Sequence, residues 1–205
     1  MTAIVDYGVG NLFSLKSSME AIGEETVVTN DESVLRKADR IILPGVGAFE
    51  DAIGKLKNTG LDEVIKDEAK KGKPLMGICL GMQMLLEKSF EYGEHQGLGL
   101  IKGEVRAISE VIPKELKVPH IGWNALRFSK EKHPVFKYIN EGDHVYFVHS
   151  YYGANCDESV IAVAEYGKDL TAAVADKNVC GCQFHPEKSG NTGLKILRAF
   201  CEMEG

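Results

Sequence analysis

The sequence is short of several things, and each shortage removes a class of function. No apolar run approaches the ~20 residues that a membrane-spanning helix needs. The opening Met1-Thr-Ala-Ile-Val-Asp6 meets an acid before an apolar core with a basic flank can develop, so neither a membrane protein nor a secretory signal is expected. Lys and Arg number 24 against 30 Asp and Glu, a net charge of -6, and the basic residues are scattered rather than gathered into a stripe. Nucleic acid is therefore not an expected partner. The five cysteines, at 79, 156, 180, 182 and 201, are too few and too irregular for a disulfide scaffold. Cys180-Gly-Cys182 has no second pair with which to hold a metal. A reducing, cytoplasmic setting is the expectation. Gly8-Val-Gly10 lacks the third glycine of a dinucleotide fingerprint, so no nicotinamide or flavin site is expected, and no cofactor is expected for the chemistry read below.

What is present reads as one α/β domain over residues 1–205, since 44% hydrophobic and 26% charged residues in a chain of 205 can bury a sizeable core. The first half alternates apolar strands with helical periodicity, the signature of parallel βαβ units. Strands are expected at 3–6, 26–29, 40–43 and 73–78. Helices are expected behind a possible Asn11 cap, where Leu12, Leu15, Met19 and Ile22 recur at helical spacing, and at 49–57, 61–71 and 80–88. The second half reads as strands at 97–112, 118–128, 144–152, 160–166, 171–176 and 179–184, with a hairpin at Asp176–Val179, and the last fifteen residues form a closing helix. The expected fold is a three-layer α/β/α domain with an open, mostly parallel sheet and additional antiparallel strands in the C-terminal half.

Two segments carry chemistry. Gly77-Ile-Cys79-Leu-Gly81 has the form of a nucleophile elbow, in which glycines leave room for a strained strand-to-helix turn and the thiol stands at the top of the sheet. The helix starting at Leu80 points its positive end and free N–H groups at the sulfur, favouring thiolate and offering a hold for an oxyanion. The bland alternative is a buried cysteine in a βα turn. In Gln183-Phe-His185-Pro-Glu187, the residue before a proline is biased to extended geometry, which puts His185 and Glu187 on one face. An imidazole that takes and returns a proton, with a carboxylate to hold its tautomer, is what a cysteine nucleophile needs. A surface His-Pro-Glu turn is common, but an elbow cysteine and a strand-end His-x-Glu together point to acyl transfer.

Pro44-Gly-Val-Gly47, Gly77-Ile-Cys-Leu-Gly-Met-Gln83 and Gln183-Phe-His-Pro-Glu187 resemble, in order and spacing, the class I or triad glutamine amidotransferases. Asp6-Tyr-Gly-x-Gly-Asn-Leu12, Val118-Pro-His-Ile-Gly-Trp-Asn124 and Val148-His-Ser-Tyr151 are similar to the glutaminase subunits of imidazole glycerol phosphate synthases. The resemblance implies hydrolysis of L-glutamine by Cys79, His185 and Glu187. It implies an oxyanion hole from the Gly47 and Leu80 N–H groups, with the glycines of the 45–47 loop able to flip and the loop taking its active orientation only when a partner is engaged. It implies substrate contacts from Gln83, Glu91, His149, Ser150 and Tyr151. It further implies a cyclase (β/α) barrel partner that receives the ammonia in histidine biosynthesis, docked near Asn11, Trp123 and Lys188. The chain ends soon after the triad, so the ammonia acceptor is expected on that second polypeptide.

Overall fold

The computed structural model describes residues 1–129 and 131–203. Its first half runs β1 (Thr2–Val5), α1 (Leu12–Ala21), β2 (Thr26–Thr29), α2 (Glu32–Lys37), β3 (Arg40–Leu43), α3 (Phe49–Asn58), α4 (Leu61–Lys70), β4 (Leu75–Ile78) and α5 (Leu80–Leu85). There follow β5 (Lys88–Ser89), β6 (His95–Gln96), β7 (Glu104–Ala107), β8 (His120–Ala125), β9 (Arg127–Phe128), β10 (His144–His149), β11 (Tyr151–Ala154), β12 (Val160–Glu165), β13 (Asp169–Asp176), β14 (Val179–Cys182) and α6 (Gly190–Cys201).

The main sheet has the order β2-β1-β3-β4-β14-β13-β12-β9. Pairing is parallel from β2 to β14 and antiparallel from β14 to β9. Strands β1, β3 and β4 are nearly unbroken apolar runs because helices cover both faces of the sheet. Alternation along each strand sorts its side chains between the two sides. Ala3, Val5, Ile41, Leu43 and Leu75 pack with Leu35 of α2, Phe49 and Leu56 of α3 and Ile65 of α4. Ile4, Ile42, Met76 and Ile78 pack with Leu15 and Met19 of α1 and with Ile196, Leu197 and Phe200 of α6. The result is the expected three-layer α/β/α arrangement. Two smaller sheets stand beside it, the antiparallel ribbon β10-β8 and the four strands β11-β7-β5-β6. No described helix is long and apolar enough to cross a membrane.

Several boundaries differ from the sequence expectation, each for a local reason. Helix α2 was not anticipated, although Asp31 caps it by accepting from Ser33 N at 2.7 Å. Helix α5 stops at Leu85 rather than 88, because Leu86 turns extended and Lys88–Ser89 joins a sheet. The strand expected over 97–112 shrinks to β7. Gly97 is pressed against the Leu86 carbonyl, while Gly99 and Gly103 take positive φ, so the segment before β7 is a packed loop. The stretch 144–152 divides at Ser150 into β10 and β11, which belong to different sheets, and 118–128 divides at Leu126 into β8 and β9. Asn11 occupies the cap position of α1 without a side-chain cap bond. The closing helix is α6, and the last residues of its expected span, 204 and 205, lie outside the described residues.

Candidate active site

Three loops leave the carboxyl ends of the adjacent parallel strands β3, β4 and β14, the edge at which open α/β sheets hold ligands. The middle connection is a single residue. Cys79 joins β4 to α5 at φ 55 and ψ -111, a backbone conformation that L-residues seldom hold. A Cβ on Gly77 would lie 2.7 Å from the Gly81 carbonyl, and one on Gly81 would lie 1.9 Å from Leu43 O. Both glycines are thus demanded by close approach, since β4, the elbow, α5 and the end of β3 meet backbone to backbone. Cys79 N donates to Cys182 O at 2.7 Å, tying the elbow to β14 as well.

His185 faces the sulfur from the end of β14. Its backbone N donates to Tyr146 O at 2.9 Å, and its carbonyl accepts from Ser189 Oγ at 2.6 Å. Its side chain hydrogen-bonds to Cys79 on one side, while Nδ1 meets Glu187 Oε1 at 2.8 Å on the other. The imidazole and the carboxylate are only 2% and 3% exposed. Burial pulls the His185 pKa down, but the bonds to Cys79 and Glu187 together outweigh it and push the value up to about 9. At neutral pH His185 therefore carries a proton, held between the sulfur and the Glu187 carboxylate. His185 is extended, as expected, but Pro186–Lys188 is a 3-10 turn, and Glu187 reaches the ring from that turn rather than along a strand. The remaining cysteines are poorly suited to attack. Burial pushes Cys180 up to about 12 and Cys201 up to about 11, and raises Cys156 and Cys182 as well.

A cavity of about 500 Å³ opens over the elbow, and its walls include Gly47, Cys79, Leu80, Gln83, Glu91, His149, Ser150, Tyr151, His185 and Lys188. Of the residues expected to bind substrate, every one lines it. In the 44–47 loop the two glycines have different reasons. A Cβ on Gly45 would lie 2.8 Å from Gly81 N, so Gly45 is wedged against the elbow, whereas Gly47 has φ 92 and open space around it. Tyr7 also pins the start of the loop by donating to Pro44 O at 2.7 Å. Conformational freedom therefore concentrates at Val46 and Gly47 instead of being shared by both glycines.

Hydrogen-bond accounting refines the substrate contacts. Glu91 Oε2 accepts from Phe49 N at 2.7 Å, so one carboxylate oxygen already caps α3. Burial raises the Glu91 pKa, opposed by that same Phe49 bond. His149 Nδ1 donates to Tyr151 O at 2.9 Å, and Nε2 faces His120 Nδ1 at 2.9 Å. Burial pushes His149 down to about 4, so it is neutral with both nitrogens engaged, and it braces the wall without a donor left for a ligand.

Trp123 is 55% exposed on β8, with its ring centre 6.1 Å from that of Tyr146 in an edge-on arrangement, and Lys188 Nζ lies 6.0 Å from the centre of the same Tyr146 ring. Asn11 starts α1, whose next turn shares a crevice with Pro186 and Glu187. Of the three expected interface residues, Lys188 is the one that also lines the cavity. Sequence reasoning missed Phe13, 84% exposed beside Asn11, and Tyr92, 85% exposed at the cavity rim. Phe13 falls off the Leu12, Leu15, Met19 stripe, and an aromatic on the wet side of a helix was the available signal. It also missed Gln183, which is fully buried with Nε2 3.8 Å from Cys79 Sγ.

Among known proteins, the profile of the family described as glutamine amidotransferase class-I matches residues 3–203. The chain is 50% identical over 204 residues to the imidazole glycerol phosphate synthase subunit HisH of Caldanaerobacter subterraneus subsp. tengcongensis, covering 99% of this chain and 98% of that one. It is 49% identical over 201 residues to the subunit HisH of Aquifex aeolicus, covering 97% and 95%. Among solved structures, a crystal structure of a glutamine amidotransferase matches with a TM-score of 0.75 at 20% identity over 98% of this chain and 97% of that one. PurLQS from Thermotoga maritima matches with a TM-score of 0.74 at 22% identity over 98% and 96%. At such identities the solved structures speak for the fold.

Proposed function

The chain belongs to the class I glutamine amidotransferase family, and on that premise we propose that it is the glutaminase subunit of an imidazole glycerol phosphate synthase. It hydrolyses L-glutamine to glutamate and ammonia. The ammonia passes to a cyclase (β/α) barrel partner, which forms imidazole glycerol phosphate and an aminoimidazole carboxamide ribotide in histidine biosynthesis.

The observation that carries this reading is the unbroken line from Cys79 through His185 to Glu187, in which Cys79 and His185 line the cavity and Glu187 stands behind the imidazole. Cys79 thiolate attacks the side-chain carboxamide carbon, and the carbonyl oxygen takes the negative charge under the N–H groups of Leu80 and Gly47. The His185 imidazolium gives its proton to the leaving nitrogen, and ammonia departs as the tetrahedral adduct collapses to a glutamyl thioester. Water then attacks with His185 as base, the C–S bond breaks, and the thiolate–imidazolium pair is restored. Glu187 holds the imidazole and stabilises its charged form throughout. The amino-acid end of glutamine meets the far wall. Gln83 Nε2 is already bonded to Tyr151 O at 3.1 Å and to Gln183 Oε1 at 3.0 Å, so Gln83 has only its carbonyl oxygen to offer, and that oxygen suits a substrate N–H.

The test is to treat the protein with a glutamine-like affinity label and locate the adduct. Labelling at Cys79 with loss of activity is expected. An inactivating adduct at Cys156, Cys180, Cys182 or Cys201 would overturn the assignment.

A further inference from the structure

The geometry around the sulfur points to one more catalytic group: we propose that Gln183 donates an N–H hydrogen bond to the Cys79 thiolate, both at rest and when the thioester breaks. The inference rests on the glutaminase reading and adds to it a residue that touches the reacting atom. Gln183 follows β14 and is fully buried, with its backbone N bonded to Ala172 O at 2.8 Å. Its side chain lies on the side of Cys79 Sγ at 3.8 Å, within the longer reach that sulfur permits as an acceptor.

The direction of the amide is what makes it a donor, and that direction is fixed by a chain of bonds ending on the backbone. Tyr151 O is a carbonyl and can only accept, so the group of Gln83 that lies 3.1 Å from it must be the NH₂. That same NH₂ lies 3.0 Å from Gln183, which must therefore present its oxygen to Gln83. The Gln183 NH₂ is left facing the sulfur. His149 Nδ1 also donates to Tyr151 O, at 2.9 Å, so the anchor carbonyl is itself held in place.

The chemistry needs such a donor at one moment in particular. When water has added to the thioester and its proton has passed to His185, the C–S bond breaks and the electron pair returns to Sγ. The leaving sulfur then carries a full charge in a buried site, and a fixed N–H dipole meets it with no reorganisation. No proton leaves Gln183. The other groups that face the sulfur are His185, with Glu187 behind it, Tyr7 from the end of β1, and Cys182 of β14. Burial raises the pKa values of Tyr7 and Cys182, so both stay neutral at working pH and neither supplies charge to the thiolate.

The experiment compares wild type with Gln183→Met and Gln183→Leu, two apolar side chains of different shape that both remove the donor. Melting curves and binding to the partner establish that the variants fold. Iodoacetamide alkylation of Cys79 at pH 7 is expected to slow by roughly tenfold in each variant, the scale of one lost charge-assisted bond, and to converge on wild type at high pH where thiolate is complete. Glutamine turnover in the complex should fall by a similar factor with KM within about twofold, since the lost bond is to sulfur and Gln83 keeps its bond to Tyr151. Alkylation and turnover at wild-type rates in either folded variant would overturn the proposal. A rise in KM with alkylation unchanged would also overturn it, assigning Gln183 to the substrate instead. Failure of the glutaminase reading would look different, as absence of glutamine hydrolysis in the wild-type complex.

Discussion

Replacing Gly81 by Ala perturbs the site without touching any group that does chemistry. The added methyl would sit 1.9 Å from Leu43 O, 2.9 Å from Leu43 C and 3.3 Å from Pro44 C. A carbon normally stays about 3.3 Å or more from a carbonyl oxygen, so the start of α5 and the end of β3 must separate by more than about 1 Å. That movement acts on both halves of the proposed oxyanion hole, because Leu80 precedes Gly81 and the 44–47 loop follows Leu43. Overpacking of this kind destabilises by about 1–3 kcal/mol, and a misplacement of about 1 Å in a catalytic group costs about a hundredfold in rate. Gly81→Ala should therefore lower glutamine turnover in the complex by about two orders of magnitude and lower the midpoint in a urea titration, while the partner still uses free ammonia. Gly54→Ala is the control. Gly54 lies inside α3, a Cβ there meets nothing within 4 Å, and the exchange should be neutral or stabilise by up to about 1 kcal/mol. Turnover within twofold of wild type for Gly81→Ala, with an unchanged midpoint, would refute the idea that this backbone contact sets the geometry of the elbow.

The other expectations concern the proton. His185→Ala should abolish glutamine-dependent synthesis and spare ammonia-dependent synthesis; loss of both in an assembled complex would contradict the division of labour. The folded pKa of His185, about 9, lies above its ordinary 6.5. The imidazolium and the stability it contributes are therefore fully present below about 6.5 and lost as pH rises through about 9. kcat/KM for glutamine should accordingly fall on the alkaline side near pH 9. Glu187→Gln keeps an acceptor but loses the charge, so it should move that limb to lower pH with a milder loss than His185→Ala; an unmoved limb would separate Glu187 from the imidazole's titration.

The parallel half of the sheet was legible because apolar runs and helical periodicity agree there, as in Arg40–Leu43 and Leu61–Lys70. The antiparallel half was read too coarsely. A continuous β-rich stretch such as 144–152 does not reveal that Ser150 passes the chain from one sheet to another, which is settled by distant pairing with β8 and β7. That Cys79, His185 and Glu187 would meet was legible from the elbow glycines and the His-x-Glu spacing. The amide pair Gln83–Gln183 was not, because it joins residues a hundred positions apart and its meaning depends on which atom faces which. The separate roles of Gly45 and Gly47 were equally hidden, since a wedge and a free hinge have the same letter in sequence.

The most direct test of the account is glutamate release by the purified chain, measured alone and then with the cyclase barrel and its nucleotide ligand. An oxyanion hole completed by movement at Val46 and Gly47 upon docking predicts slow turnover alone and a rise in kcat of about a hundredfold to a thousandfold in the complex, the worth of one hole donor, with a much smaller change in KM. Equal kcat in the two conditions would contradict the gated hole, and no glutamate in either would contradict the glutaminase itself.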